Sequence, residues 1–167
     1  VEIIRNYTYP SHDKTATKRL MNYASFALTA SLAGAHRLPQ LDVLWVYNSP
    51  ISVSLPMWTI QLMQRIPAVI HVMDIWPDSI VAAGFKPSHL PNAFIRLATA
   101  WNNAMLSSAT SVCFISPGAG PELAHRGTPR EKLTYCPLWA DEGSYFPSGD
   151  DGGLRHRLGI GTSEVVF

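Results

Sequence analysis

The side chains best suited to chemistry gather just behind apolar runs. Behind Asp42–Tyr47 come Asn48, Ser49 and Pro50, and behind Ala68–Met73 come Asp74, Ile75, Trp76, Pro77 and Asp78. Behind Ser111–Ile115 come Ser116, Pro117 and Gly118, and behind Leu133–Cys136 come Leu138, Trp139, Ala140 and Asp141. Carboxylates and amides bind hydroxyl groups, and indole faces stack on the C–H surfaces of sugars. This mixture therefore suits a polyhydroxylated ligand held by a few placed polar groups. Each residue also has a plainer role. Asn48, Ser49 and Ser116 stand where helix N-caps belong, and such a cap is worth about 1 kcal/mol. A capped helix start also aims backbone N–H groups at a ligand. Asp74 either bonds its own turn or serves the site, and Asp78 also reads as a helix-start residue. Trp76 and Trp139 serve as core edges or as stacking platforms. His71 lies inside its apolar run and reads as a satisfied core histidine.

Several other chemistries are not written here. His36, His89, His125 and His156 are scattered without metal-ligand spacing. The chain holds no GxSxG, no GxxxxGK[ST] and no GxGxxG. Gly118-Ala119-Gly120 resembles a glycine-rich turn but lacks the third glycine of a dinucleotide loop. Cys113 and Cys136 sit in apolar runs with no CxxC pairing, as reduced core thiols of a cytosolic protein do.

The elements that must position these residues follow from periodicity. Glu2–Ile4, Asp42–Tyr47, Ala68–Met73, Ser111–Ile115 and Leu133–Cys136 read as strands. Most are near-continuously apolar, as strands buried on both faces of a parallel sheet are. Helices are expected over 17–36, from Ser49-Pro50 to Gln64, over 91–108, from Ser116-Pro117 to Gly127, and over 150–158. In the first, Leu20, Ala24, Ala27, Leu28, Leu32 and Ala35 share one face. Alternating strands and helices predict an α/β fold, a doubly wound Rossmann-like parallel sheet with flanking helices. In such sheets ligands bind beyond the carboxyl ends of the strands.

Composition bounds the class. Apolar residues make up 47% and charged residues 15%, against about 25% charged in an average globular domain. That excludes a disordered chain. Thirteen Lys+Arg against 12 Asp+Glu leave a formal charge of +1, too little to grip nucleic acid. No N-terminal signal pattern is visible. Residues 43–64 and 97–121 lack Lys, Arg, Asp and Glu, but their prolines, asparagines and serines argue against membrane spans. Both chain ends lie in strand-like runs, and the chain is expected to be an excerpt of a longer protein. Pro137–Gly153 reads as a linker, with one domain expected over 1–147 and the start of a second over 148–167.

The stretch YNSPISVSLPMWTIQLMQRIPAVIHVMDIWPDSIVAAGF is similar to the middle of the N-terminal domain of glycosyltransferase family 4. It most resembles the bacterial surface-polysaccharide enzymes typified by colanic acid and L-fucosamine transferases. In these a Ser-Pro helix start, here Ser49-Pro50, precedes a strand that ends in an acidic-Leu/Ile-Trp-Pro-Asp motif, here Asp74–Asp78. ATSVCFISPGAGPELAHRGTPREKLTYCPLWADEGSYFP resembles the family's run into its interdomain linker, and TYPSHDKTATKRLMNYASF resembles the subgroup's Arg-and-Tyr helix. Many members carry His where Met73 stands, which leaves Asp74 as the catalytic candidate. Leu138 replaces a common Asn, and Ser108-Ala109-Thr110 lacks the usual acid.

The resemblance implies a GT-B architecture, two Rossmann-like domains facing a cleft, with this chain in the N-terminal, acceptor-side one. It implies retaining transfer of a sugar from a nucleotide-sugar to a saccharide or polyprenyl-linked acceptor. The nucleotide-sugar is then a co-substrate, with no cofactor and no metal required. Asn48, Ser49, Trp76, Asp78, Ser116 and Asp141 are the expected substrate-binding residues. Alternatives are a non-catalytic α/β ligand-binding module and a nucleotide-sugar epimerase of GT-B fold. The implied location is the cytoplasm, with peripheral contact on the inner face of the plasma membrane. Lys14, Lys18 and Arg19 open a helix whose next 17 positions, 20–36, hold no charged residue with His36 neutral. That basic end and the aromatic face of Tyr23 and Phe26 are expected to rest on anionic lipid, or else the helix is core.

Overall fold

A computed structural model describes residues 2–10, 16–76, 78, 92–146, 153–161 and 163–164. The chain divides into two compact units, Val1–Pro137 and Leu138–Phe167.

The first unit is built on four strands: β1 (Leu44–Tyr47), β2 (Ala68–Val72), β3 (Ser111–Phe114) and β4 (Leu133–Tyr135). All neighbours pair in parallel, in the order β1-β2-β3-β4. The register sets Val46, Ile70, Val112 and Leu133 in one row across the sheet. That row is apolar, and it faces the helices. Helix α2 (Ser54–Gln64) offers Met57, helix α3 (Asn92–Ser108) offers Met105 and Leu106, and helix α4 (Ala119–His125) offers Leu123. These four side chains are almost fully buried, and each contributes roughly 1.5–3 kcal/mol by leaving water.

The α/β class and the parallel sheet are as the sequence predicts. Two expectations change. First, the described sheet is wound in one direction only. A monotone strand order with crossovers of one hand puts every connecting helix on the same face, so no order reversal appears among the described residues. Second, only the inner strands are buried on both faces. The edge strand β1 leaves Trp45 and Tyr47 each 54% exposed, and Tyr135 of β4 is also exposed. His71, beneath Trp45, is buried as expected, with its ring edge-on to the indole at 5.3 Å.

Glu2–Ile4 is not a strand. It belongs to an extended segment that runs along α1 (Ala16–Thr29). The Tyr9 N–H donates to Ser25 Oγ at 2.7 Å, Asn22 donates to the Tyr9 carbonyl at 2.7 Å, and Thr29 donates to the Tyr7 carbonyl at 2.6 Å. The helix continues through a π turn at Ala30–Gly34 and a 3-10 turn at Ala35–Arg37. A Cβ at Gly34 would come within 2.8 Å of the Asn6 side-chain amide, so glycine lets Asn6 sit here without shifting. The buried face of the helix is therefore its small one, Ala27, Ala30, Gly34 and Ala35. Leu20, Leu28 and Leu32, expected on the packed face, are exposed. A helix apolar all round offers no contrast from which to choose its buried side.

Helices α2 and α3 are tied by two tryptophans. Trp58 and Trp101 stack with centroids 6.5 Å apart. Trp101 Nε1 donates to the buried Ser54 Oγ at 2.7 Å, and Trp58 Nε1 donates to Ser108 Oγ at 2.8 Å. Lys132 Nζ closes the end of α3 on the Ser107 and Ala109 carbonyls, both at 2.8 Å. The second unit carries α5 (Leu154–Leu158), which stops at Gly159 with φ of 68°. Among the described residues no helix is long and apolar enough to cross a membrane.

Candidate functional site

Parallel strands lie about 4.8 Å apart, so the residues behind β1, β2 and β3 form one continuous rim. Asn48 is 1% exposed. Its N–H extends the ladder by donating to the His71 carbonyl at 3.0 Å. Its Oδ1 is buried without a hydrogen-bond donor. The Ser49 N–H donates to the Tyr47 carbonyl at 3.0 Å, and the Ser49–Pro50 peptide bond is cis. Behind β2, Asp74 is exposed and Trp76 is half-buried, with Nε1 buried and unpartnered. Behind β3, Ser116 is exposed and its carbonyl accepts the Ala119 N–H at 2.9 Å. None of Asn48, Ser49 and Ser116 caps a following helix through its side chain. The α-helices start three to six residues further on, beyond the reach of an N-cap oxygen.

Gly118 and Gly120 prove different from each other. A Cβ on Gly118 would meet nothing, whereas one on Gly120 would lie 2.6 Å from the Phe114 ring. Gly120 thus lets α4 lie close on β3, a packing role.

Asp78 is engaged by a residue that sequence reasoning missed. The Arg126 guanidinium, at the end of α4, pairs with the Asp78 carboxylate. It also donates from Nε to Glu122 Oε1 at 2.6 Å and from its second arm to the Trp76 carbonyl at 3.1 Å. Burial pulls the Arg126 pKa down, but the bonds to Asp78 and Glu122 more than offset it, so the net shift is upward. The one signal in the sequence was the Glu122–Arg126 spacing of four on a helix. Nothing local announced the reach back across 48 positions to Asp78.

A cleft of about 520 Å³ lies beside β1, with Tyr23 and Phe26 of α1 on one wall and Trp45, Tyr47 and Ser49 on the other. Ser49 is the one expected site residue that lines it; Asp74, Trp76 and Ser116 stand elsewhere on the rim. Phe26, expected at lipid, faces this cleft, while Lys18 and Arg19 are exposed at the start of α1. Lys14 lies outside the described residues.

Asp141 belongs to the second unit. It holds its own turn, accepting from Ser144 Oγ at 2.7 Å and the Gly143 N–H at 3.1 Å. The Ser144 hydroxyl, then the Gly143 amide, lower its carboxyl pKa. Trp139, in the same unit, is 85% exposed. Among the described residues no group of three or more His, Cys, Asp and Glu is placed to hold a metal ion.

A parallel α/β sheet with flanking helices, and with carboxylate, amide, hydroxyl and indole groups along its carboxyl rim, defines a Rossmann-like domain. Residues 5–139 match the family profile described as Glycosyl transferase 4-like domain, and the chain belongs to that family. Among solved structures it is similar to HepE of Anabaena in complex with UDP-glucose, at 20% identity and a TM-score of 0.47, over 87% of this chain and 34% of that one. The same protein with UDP and glucose gives 20% identity and 0.47, over 89% and 35%. The chain thus spans about a third of the length of these structures. No curated protein matches it.

Proposed function

We propose that this chain is the acceptor-side part of a retaining glycosyltransferase that moves a sugar from a nucleotide-sugar donor to a hydroxyl of a lipid-linked saccharide, in bacterial surface-polysaccharide synthesis. The observation that carries the reading is membership of the Glycosyl transferase 4-like family across residues 5–139. The rim adds to it. Asp74 is an exposed carboxylate at a strand's carboxyl end, two residues from Trp76. A carboxylate there accepts the hydrogen bond of an acceptor hydroxyl and orients its oxygen for attack. Positioning of this kind lowers a barrier by several kcal/mol. The negative charge of the reaction develops on the leaving diphosphate, and helix N-termini and cations stabilise it best. The rim here is acidic, which fits an acceptor hydroxyl better than a diphosphate. Asn48, Ser49 and Ser116 complete the hydroxyl-binding set, and no cofactor or metal takes part.

The same reading places the protein at the cytoplasmic face of the membrane through α1. The exposed Leu20, Leu28 and Leu32 follow Lys18 and Arg19 along the helix. Apolar burial and basic charge add in peripheral binding to anionic lipid. The test of the whole reading is a donor and acceptor screen of the full-length protein, in which transfer supports it and binding without transfer favours the non-catalytic module.

A further inference from the structure

We infer that Arg126 is the positioning residue that holds Trp76 and Asp78 at the sheet's carboxyl rim, so that an acceptor sugar meets Asp74 and Trp76 in one arrangement. The inference rests on the acceptor-side reading above. Its ground is the convergence of three groups, from α4 and from the segment behind β2, on one guanidinium. The segment behind β2 offers it a backbone group, the Trp76 carbonyl, and a side chain, the Asp78 carboxylate. Trp76 and Asp78 are thereby both tied to the end of α4.

The guanidinium is itself aimed. Glu122, one turn earlier on α4, holds Nε at 2.6 Å, which turns the two remaining arms toward the segment. The backbone of Arg126 is fixed as well. Its N–H donates to the Glu122 carbonyl at 3.0 Å, and its carbonyl accepts from Asn103 Nδ2 of α3 at 3.1 Å. Gly127, with φ of 101°, ends the helix at this point, and the Gly127 and Thr128 N–H groups close it on the Ala124 and Leu123 carbonyls, both at 3.0 Å. The Arg126 side chain is 19% exposed. The Asp78 side chain is 64% exposed, so the hold on the segment comes from several charge-assisted bonds converging on one partly buried guanidinium rather than from burial of the pair.

The alternative use of this cation, gripping the leaving diphosphate, fits poorly. One guanidinium faces two carboxylates, Asp78 and Glu122, so the cluster carries a net charge of −1. An anion would be repelled from it. Lysine could not substitute, because a single ammonium lacks the planar fork that spans Glu122, the Trp76 carbonyl and Asp78.

The test uses the full-length enzyme with Arg126→Met and Arg126→Lys, a UDP-sugar as donor and a polyprenyl-diphosphate-linked monosaccharide as acceptor. Arg126→Met is expected to raise the acceptor KM at least about tenfold, with the donor KM within about twofold of wild type. Hydrogen exchange of the peptide spanning Val72–Asp78 should quicken in the free protein. Millimolar guanidinium ion should recover part of the lost activity, and Arg126→Lys should stay close to Arg126→Met. An unchanged acceptor KM, an equal rise in both KM values, or full recovery by lysine overturns the inference. Should Arg126→Met fail to fold, Glu122→Gln is expected to give a smaller change in the same direction, and no change there overturns it equally. If wild type transfers no sugar, the acceptor-side reading fails. Hydrogen exchange then still decides the anchor: faster exchange upholds it and unchanged exchange removes it.

Discussion

Asp74 follows Val72 and Met73 out of β2 and is exposed, and among the described residues no hydrogen bond or ion pair uses its carboxylate. Replacing it should therefore cost function and spare stability. Asp74→Asn in the full-length enzyme is expected to lower kcat/KM at least about tenfold, or about 1.4 kcal/mol of transition-state stabilisation, with an unchanged melting temperature. Wild-type turnover would make Asp74 a turn residue only. Cys113 is the opposite kind of residue. Burial pushes its thiol pKa up, and the neighbouring Cys136 pushes it further. The fold keeps this proton after an unfolded thiol has lost its own. Stability from Cys113 is thus full below the ordinary thiol pKa and is lost as pH rises toward the folded value. Iodoacetamide at about pH 8.5 should alkylate native Cys113 far more slowly than the urea-unfolded chain. Equal rates would contradict its burial. The rim residues Asn48, Ser49, Asp74, Trp76 and Ser116 were legible from the sequence because each stands behind an apolar run. Arg126 was not, since its contacts with Trp76 and Asp78 exist only after α4 has packed on the sheet.

At the scale of elements, the two tryptophan bonds between α2 and α3 differ in what they leave behind. Ser54 is fully buried, whereas Ser108 is exposed. Trp101→Phe strands a buried hydroxyl and is expected to destabilise by about 1–3 kcal/mol, while Trp58→Phe lets water replace the bond and costs about 1 kcal/mol or less. Urea unfolding of the two variants checks the order, and a larger loss in Trp58→Phe would contradict it. Four of five strands stood near their predicted places because β-branched apolar runs bounded by polar residues have few other uses. Glu2–Ile4 failed because so short an apolar run does not by itself make a strand: Ile3 is 72% exposed, and the bonds to α1 come from Tyr7 and Tyr9. The face of α1 failed for a different reason. Leucines outnumber alanines in apolar area, yet the strap at Asn6 and the π turn need small residues, so the smaller face is the one that packs.

At the scale of the chain, the first unit joins a parallel sheet whose inner strands are buried on both faces to a helix with an outward leucine ridge. Lys18 and Arg19 at the head of that ridge carry the electrostatic part of the membrane proposal. The full-length protein is expected to co-sediment with anionic vesicles, to be released by high salt, and to lose at least half of its vesicle-bound fraction in Lys18→Glu/Arg19→Glu; each basic residue near such a surface is worth about 1 kcal/mol. Equal recovery with neutral vesicles would leave α1 without an electrostatic role. At this scale the fold class was written plainly in the alternation of strands and helices. The one-directional winding was not, because strand order depends on which edges meet and periodicity carries no record of that.

The most direct test of the central claim is sugar transfer itself. The full-length protein, wild type and Asp74→Asn, is incubated with a panel of nucleotide-sugars and lipid-linked saccharide acceptors, and the products are read by mass spectrometry and their anomeric configuration by NMR. The expected result is a glycosylated acceptor from wild type, with the donor's configuration retained and the Asp74→Asn yield at least about tenfold lower. A protein that binds a nucleotide-sugar or a saccharide tightly and transfers nothing to any acceptor would contradict the claim and leave a ligand-binding module in its place.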